Sequence, residues 1–206
     1  KERVLEFKKE PSVKPKAVVV DLDETMIDNS LFQGKMIETG KAFSPDFWSE
    51  WSALEMAAAL PGAVDFTLFC ESEGVEVIYI SNRAVDELEW TMANLEKLGF
   101  AFVKPENFLL KQETSGKEPR REKVAEKYEI ILLLGDNLND FSDVFENRGD
   151  DWGLAVVEKY RNEFGRRFIV FPNPMYGDWE KNAYDNRRGL EERERFKLRR
   201  KKVLSY

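Results

Sequence analysis

Four short runs along the chain are almost continuously apolar: KAVVV (16–20), VEVIYI (75–80), EIILLL (129–134) and RFIVF (167–171). Runs this short, rich in Val, Ile and Leu and without alternation, predict strands covered on both faces, as in a parallel sheet between helical layers. Helical periodicity fills the gaps. PGAVDFTLFCESEG carries Pro61 at a first-turn position, Val64 and Leu68 four residues apart, and Gly74 as a stop. DELEWTMANLEKLG sets Leu88, Met92 and Leu95 on one face and ends at Gly99, and GKEPRREKVAEKY leads into the third strand. Strands and helices alternate, so the fold class is α/β with a central, mostly parallel sheet.

Two segments break the alternation. Residues 31–60, LFQGKMIETGKAFSPDFWSEWSALEMAAAL, are expected to form an insertion across the rim of the sheet, with a loop over FSPDFWSEW and a helix over ALEMAAAL. The tail, 187–206, predicts a helix with acids early and bases late, the order that suits its dipole. We read 1–206 as one domain, with the insertion and the tail as cap elements. Sheets of this kind bind ligands in the crevice beyond the carboxyl ends of their strands. The segments that follow the four strands are DLDET, SNR, GDNLND and PNPMYGDW, all polar or rich in Gly, Pro and Asn.

Composition narrows the chemistry. The 206 residues, 42% of them hydrophobic, suffice for one substantial core. No window approaches the ~20 apolar residues that span a bilayer. The chain starts at Lys1, so it is read as a processed or trimmed product, from which a signal peptide or lipid anchor would leave no trace. A net charge of −7 speaks against a nucleic-acid polymer as partner. The chain has no His, which excludes His-based zinc sites, Ser-His-Asp triads and phosphohistidine chemistry. A single cysteine, Cys70, rules out an internal disulfide and is expected to be a small buried apolar residue. Carboxylates, Lys, Ser/Thr and Tyr are left to carry a reaction.

VVVDLDETMIDNS concentrates four carboxylates in eight residues directly after the first strand. A bare D-x-D pair arises about once by chance in a chain of this length, so its position matters more than its presence. Asp21 and Asp23 open the loop after the first strand, and Asp136 and Asp140 open the loop after the third. Two such pairs on one rim repel unless a hard cation or a proton relieves them. An all-oxygen donor set points to Mg²⁺. That metal beside carboxylates suits phosphate chemistry: a carboxylate attacks phosphorus, and a second acid two residues on protonates the leaving oxygen and then deprotonates water. Ser81 and the backbone around Asn82 supply donors for phosphoryl oxygens, and a lysine supplies compensating charge. Glu24 and Asp28 are expected to be structural.

DLDET, SNR, a lysine and GDNLNDF together resemble the four-loop site of the haloacid-dehalogenase-like superfamily. VVDLDETMIDNSLF and ILLLGDNLNDF resemble the bipartite signature of the class C acid phosphatases, the four-aspartate family that includes bacterial outer-membrane lipoprotein acid phosphatases. LPGAVDF, YGDW and the Trp-containing insertion agree, and the resemblance spans about residues 16 to 185. It implies a Rossmannoid core with a small helical cap, and a Mg²⁺-dependent acid phosphatase acting on small phosphomonoesters such as nucleoside monophosphates. Asp21 would be nucleophile and metal ligand, and Asp23 the general acid/base with its backbone carbonyl on the metal. Asp136 and Asp140 would complete the metal site, and Ser81 and Asn82 would hold phosphate. Lys117 best matches the lysine, with Lys111 and Lys123 as near alternatives. Phe43 and Tyr176 would clamp a nucleobase or aryl group.

By the same resemblance the protein would be extracytoplasmic, in the periplasm or at the cell surface, anchored through a removed N-terminal segment, with a homodimer as one oligomeric option. Two departures stand out: Phe32 occupies a position where the family signature usually has Tyr, and only about fifteen residues precede the first strand. A phosphotransferase or phosphomutase would share every core residue. A receiver-type signalling module would also pair Asp with Mg²⁺, but the DLDET spacing and the aromatic insertion speak against it. A catalytically silent surface-binding protein is the alternative from a different class.

Overall fold

The first apolar run sits at the centre of the molecule as β1 (Lys16–Val20). Its Ala17, Val18, Val19 and Val20 are all buried, and they alternate between two clusters. Val18 and Val20 enter the larger cluster, while Ala17 and Val19 enter a smaller one with Ile78, Ile80 and Val124. Period-2 alternation explains why a strand covered on both sides is apolar at every position after Lys16, which is half-buried at its start. The computed structural model describes residues 1–146, 148, 151–184, 187 and 189–203, leaving aside the side chains of 181, 182 and 192. Residues 188 and 204–206 of the predicted tail therefore lie outside the described part.

In chain order the strands are β1, β2 (Ile27–Asp28), β3 (Ala58–Ala59), β4 (Glu76–Ala84), β5 (Phe108–Lys111), β6 (Glu129–Gly135) and β7 (Phe168–Val170). The helices are α1 (Glu2–Lys8), α2 (Ser30–Thr39), α3 (Pro45–Ala53), α4 (Ala63–Ser72), α5 (Leu88–Leu98), α6 (Glu118–Lys127), α7 (Leu154–Lys159), α8 (Trp179–Ala183) and α9 (Glu192–Lys202). Five strands form a parallel sheet in the order β5-β4-β1-β6-β7. The chain leaves β1 toward β4 on one side and returns to β6 on the other, so the topological switch point lies beside β1, where such sheets place their ligands. The α/β class and the mostly parallel sheet match the expectation.

Several sequence expectations are corrected. Strand β5 is an unforeseen edge strand; its four residues alternate between buried and half-buried positions instead of forming a continuous apolar run. Strand β4 runs four residues past the predicted end, so Ser81, Asn82 and Arg83 belong to the strand. On α4, Leu68 is 44% exposed and the buried face is Ala63, Thr67 and Cys70.

The helix expected over ALEMAAAL lies earlier. Ser44 caps α3 by accepting from Phe47 N, and Pro45 occupies its first turn, so FSPDFWSEW is the helical part. Glu55, at φ 52°, turns the chain out of helix. Asn94 then grips both backbone groups of Ala57, at 3.1 and 3.0 Å, and Ala58–Ala59 pair antiparallel with Ile27–Asp28. Tertiary hydrogen bonds here override the helix preference of alanine. In the tail, α9 lies against the segment after β7: Arg199 pairs with Glu180 at 2.8 Å, and the guanidiniums of Arg195 and Arg199 cover the Tyr184 ring. Among the described residues no helix is long and apolar enough to cross a membrane.

Candidate active site

The loop after β1 is folded by one carbonyl. Leu22 O accepts from the amides of Thr25, Met26 and Ile27, and Leu22, Met26 and Ile27 are buried in the main cluster. This pins the turn and leaves Asp21 and Asp23 at the end of β1. Asp21 N donates to Leu134 O at 2.9 Å, which extends the β1–β6 ladder by one residue and sets Asp21 beside the loop after β6.

There the second pair of aspartates arrives. Gly135 ends β6, and a Cβ at that position would stand 2.4 Å from both Cβ and Oδ2 of Asp140, so only glycine lets the loop fold this closely. Asp140 also closes the turn, its Oδ2 accepting from Asn137 N at 2.9 Å. Carboxylate oxygens of Asp21, Asp136 and Asp140 lie within 4.8 Å of one another. Lys117 Nζ is wedged between two of them, 2.5 Å from Asp21 Oδ1 and 2.6 Å from Asp140 Oδ1. Lys111 lies in β5 and Lys123 is exposed on α6, so of the three candidates Lys117 is the one at the carboxylates.

The electrostatics follow from this packing. Burial pushes Asp21 well above the usual carboxylate range; Lys117 opposes the push, and Asp140, Asp136 and Asp23 add to it. Burial, helped by Asp140, raises Asp136 to about 6, against the hydrogen bond it accepts from Asn173 and the charge of Lys117. Burial works against the Lys117 ammonium, but Asp140 and Asp21 outweigh it and keep the pKa above normal. Two buried carboxylates, a third that is half-buried and one ammonium leave an excess of negative charge. The donors are all oxygens, and their mutual distances suit one hard divalent cation, so the residues present fit Mg²⁺.

Asp23 faces a different partner. The Arg83 guanidinium grips both of its oxygens, with Nη2–Oδ1 at 2.8 Å, Nε–Oδ1 at 3.1 Å and Nε–Oδ2 at 3.2 Å. Asn29 Nδ2 adds a bond to Oδ1 at 3.0 Å, and Ser81 Oγ lies 3.4 Å from Oδ2.

The family described as HAD superfamily, subfamily IIIB (Acid phosphatase), matches residues 2–179. The chain belongs to this family. Two structures of the class C acid phosphatase from Bacillus anthracis, one with tungstate bound, match the whole chain and 86% of theirs at 39% identity and TM-score 0.93. The Stem 31 kDa glycoprotein of Glycine max is 25% identical over 164 residues, 77% of this chain. The chain spans 58% of that relative's length.

Within this acid phosphatase fold the remaining predicted residues fall as follows. Ser81 is fully buried and accepts from Arg83 N at 3.1 Å. Asn82 points to the opposite side of the strand, where it is exposed and its Oδ1 accepts from Arg120 Nη2 at 2.7 Å. Tyr176 reaches the first loop by donating its hydroxyl to Glu24 Oε2. Burial raises Glu24 to about 7, with the Tyr176 hydrogen bond opposing it. Burial and the charges of Asp23 and Glu24 hold the Tyr176 phenol far above its ordinary pKa. Phe43 is 61% exposed and lies on the aromatic cluster of the insertion, 6.4 Å from Phe32 and 6.2 Å from Trp48 between ring centroids. Phe32 itself is buried among Phe47, Trp48 and Trp51, so no hydroxyl is needed there. Glu24 and Asp28 have structural contacts: Glu24 Oε1 accepts from Asn29 N at 3.1 Å, and Asp28 Oδ1 accepts from Ser30 N at 2.7 Å.

Four residues of this site escape a reading of the sequence. Arg83 grips Asp23. Arg120 donates to Ser81 O at 2.6 Å and to Ser115 O and Gly116 O, tying the end of β4 to the Lys117 loop. Arg121 donates to the carbonyls of Asn139 and Asp140 at 3.0 Å each, while its Nη2 pairs with Glu118 at 2.6 Å. Asn173 orients Asp136 at 2.7 Å. The available signals are the positions of Arg83 in SNR and Asn173 in PNPMYGDW, and the basic pair in EPRR at the start of α6, beside the lysine.

Proposed function

We propose that the protein is a Mg²⁺-dependent phosphomonoesterase that works through an aspartyl-phosphate and accepts nucleoside monophosphates. The observation that carries this is the convergence of Asp21, Asp136, Asp140 and Lys117 from three separate loops into one cluster, in which only Asp136 is half-buried. Asp21, Asp136 and Asp140 would hold the metal, together with the Asp23 carbonyl that the family resemblance implies. When bound, Mg²⁺ lowers the repulsion between an anionic phosphoryl group and an anionic nucleophile.

The chain's own residues then perform two displacements. An Asp21 oxygen forms a bond to phosphorus as the bond to the leaving oxygen breaks, and that oxygen keeps the electron pair and takes a proton from Asp23. Water next attacks the phosphorus of the aspartyl-phosphate and gives a proton to Asp23. The Asp21–phosphorus bond breaks, phosphate departs, and both carboxyl groups return to their starting states. Ser81 and the backbone near Asn82 bind phosphoryl oxygens, and Lys117 keeps positive charge beside Asp21 throughout. Tungstate, which the Bacillus anthracis relative binds, has the tetrahedral oxyanion shape such a site accepts. Tyr176 and Phe43 provide aromatic faces for a base or aryl group. We extend the reading to an extracytoplasmic location on the family resemblance.

The test compares hydrolysis of p-nitrophenyl phosphate and nucleoside 5′-monophosphates in Mg²⁺ and in EDTA. Turnover restored by Mg²⁺ after chelation supports the reading. Full turnover in EDTA sinks the metal assignment.

A further inference from the structure

We propose that Arg83 is a positioning residue that aims Asp23 for proton transfer and couples its aim to the helical insertion. This rests on the reading of Asp23 as general acid. The Arg83 side chain is 2% exposed, and all three of its guanidinium nitrogens are engaged. Nε and Nη2 form the fork on Asp23, while Nη1 donates to Ser52 Oγ on α3 at 3.1 Å and to Thr91 Oγ1 on α5 at 3.2 Å. The guanidinium also lies 5.3 Å from the ring centre of Trp48 on α3, and Trp48 Nε1 donates to Glu87 at 3.3 Å. A second link runs beside the first: Trp51 Nε1 donates to Asn29 Oδ1 at 2.8 Å, and Asn29 Nδ2 donates to Asp23. Helix α3 therefore reaches the Asp23 carboxylate by two independent hydrogen-bonded routes.

The two oxygens of Asp23 are treated unequally. Oδ1 accepts three bonds of 2.8–3.1 Å, from Arg83 Nη2, Asn29 Nδ2 and Arg83 Nε. Oδ2 has only the longer Arg83 Nε contact at 3.2 Å and Ser81 Oγ at 3.4 Å. Oδ1 is saturated, so Oδ2 is the oxygen left to carry the proton that goes to the leaving group. A planar five-donor fork can fix a carboxylate in this way while also reaching two hydroxyls, whereas a lysine ammonium at the same place is a point charge that cannot hold all four oxygens.

The test exploits leaving-group chemistry. p-Nitrophenolate departs with little need of a proton, while the alkoxide of glycerol 2-phosphate needs one. Wild type, Asp23→Asn, Arg83→Lys and the double variant Ser52→Ala/Thr91→Val are compared in Mg²⁺ by kcat/KM, which reports the steps up to phosphoryl transfer to Asp21. Inhibition by tungstate serves as the control for the oxyanion site. Arg83→Lys is expected to lose about 100-fold on glycerol 2-phosphate and less than about 10-fold on p-nitrophenyl phosphate, with tungstate inhibition unchanged. The double variant is expected to shift the ratio of the two substrates in the same direction by a smaller factor. Equal losses on both substrates, or no loss, in Arg83→Lys overturn the inference; if that variant does not fold, the substrate ratio of the double variant decides in the same way. Selective loss in Asp23→Asn with none in the Arg83 variants sinks only the role of Arg83. Equal losses in Asp23→Asn remove the general acid itself, and this inference with it.

Discussion

Asp21 and Lys117 are 96 residues apart in the chain, and their side chains meet at 2.5 Å in the interior. Lys117 also serves Asp140, so one ammonium offsets part of the charge of a three-carboxylate cluster. Removing it leaves buried acids without a compensating positive charge, which in other proteins costs about 3–5 kcal/mol. Lys117→Met is therefore expected to lower stability by about 3 kcal/mol in EDTA at neutral pH, and Mg²⁺ to recover part of the loss. Urea unfolding with and without Mg²⁺ measures both. A variant as stable as wild type in EDTA would contradict the charge balance described above.

The raised pKa of Asp136 fixes the sign of a pH effect. Its folded-state value is about 6 against an ordinary 3.8, so in the metal-free protein the folded chain holds this proton more tightly than the unfolded chain. The stabilisation is fully present below 3.8 and is lost as pH rises through about 6; Asp21 shifts in the same direction. Thermal midpoints in EDTA should fall across this window relative to those of Asp136→Asn. Saturating Mg²⁺ should abolish the difference in slope, because metal binding requires the deprotonated acids. A midpoint difference that grows in the opposite direction with pH would contradict the assignment.

Gly135 is a steric requirement. Its Cα carries no Cβ where one would overlap Asp140, and Gly135→Ala must displace either the strand end or the acid. We expect a loss of about 1–3 kcal/mol and weaker Mg²⁺ binding, seen as a smaller metal-induced rise in thermal midpoint. An alanine variant with wild-type metal response would show that Asp140 does not depend on this close approach.

Arg121 touches none of the three carboxylate side chains, yet it holds the carbonyls of Asn139 and Asp140. Residues that orient metal ligands in this way are worth about 10–100-fold in metal affinity or activity. Arg121→Met is expected to weaken Mg²⁺ by a factor in that range, read by calorimetric titration. Unchanged affinity would limit Arg121 to a role in packing α6.

Much of this architecture is legible in the chain because its signals are local. KAVVV and EIILLL declare strands covered on both faces, and the aspartates follow their ends directly, so the fold class and the acidic loops can be placed from sequence. The arginines are different. RR at 120–121 lies in a helix of strongly polar sequence that looks solvated from its own pattern, while the structure turns both guanidiniums back over neighbouring loops. Arg83 directly follows two positions identified as site residues, but its partners come from three other elements. The path of the insertion is set by Asn94, more than thirty residues away, and local helix preference could not foretell it. Position relative to strand ends is encoded locally; the destination of a long side chain is not.

The central claim is a covalent phosphoenzyme on Asp21. Its most direct test is to mix enzyme and Mg²⁺ with a radiolabelled phosphomonoester, quench in acid within milliseconds, and map the label by peptide analysis. The account predicts an acid-stable, hydroxylamine-sensitive acyl phosphate on the peptide that bears Asp21, and none in Asp21→Asn, which should lose activity by on the order of 10⁴-fold or more. Label on another residue, or an Asp21→Asn protein that still turns over substrate, would contradict it.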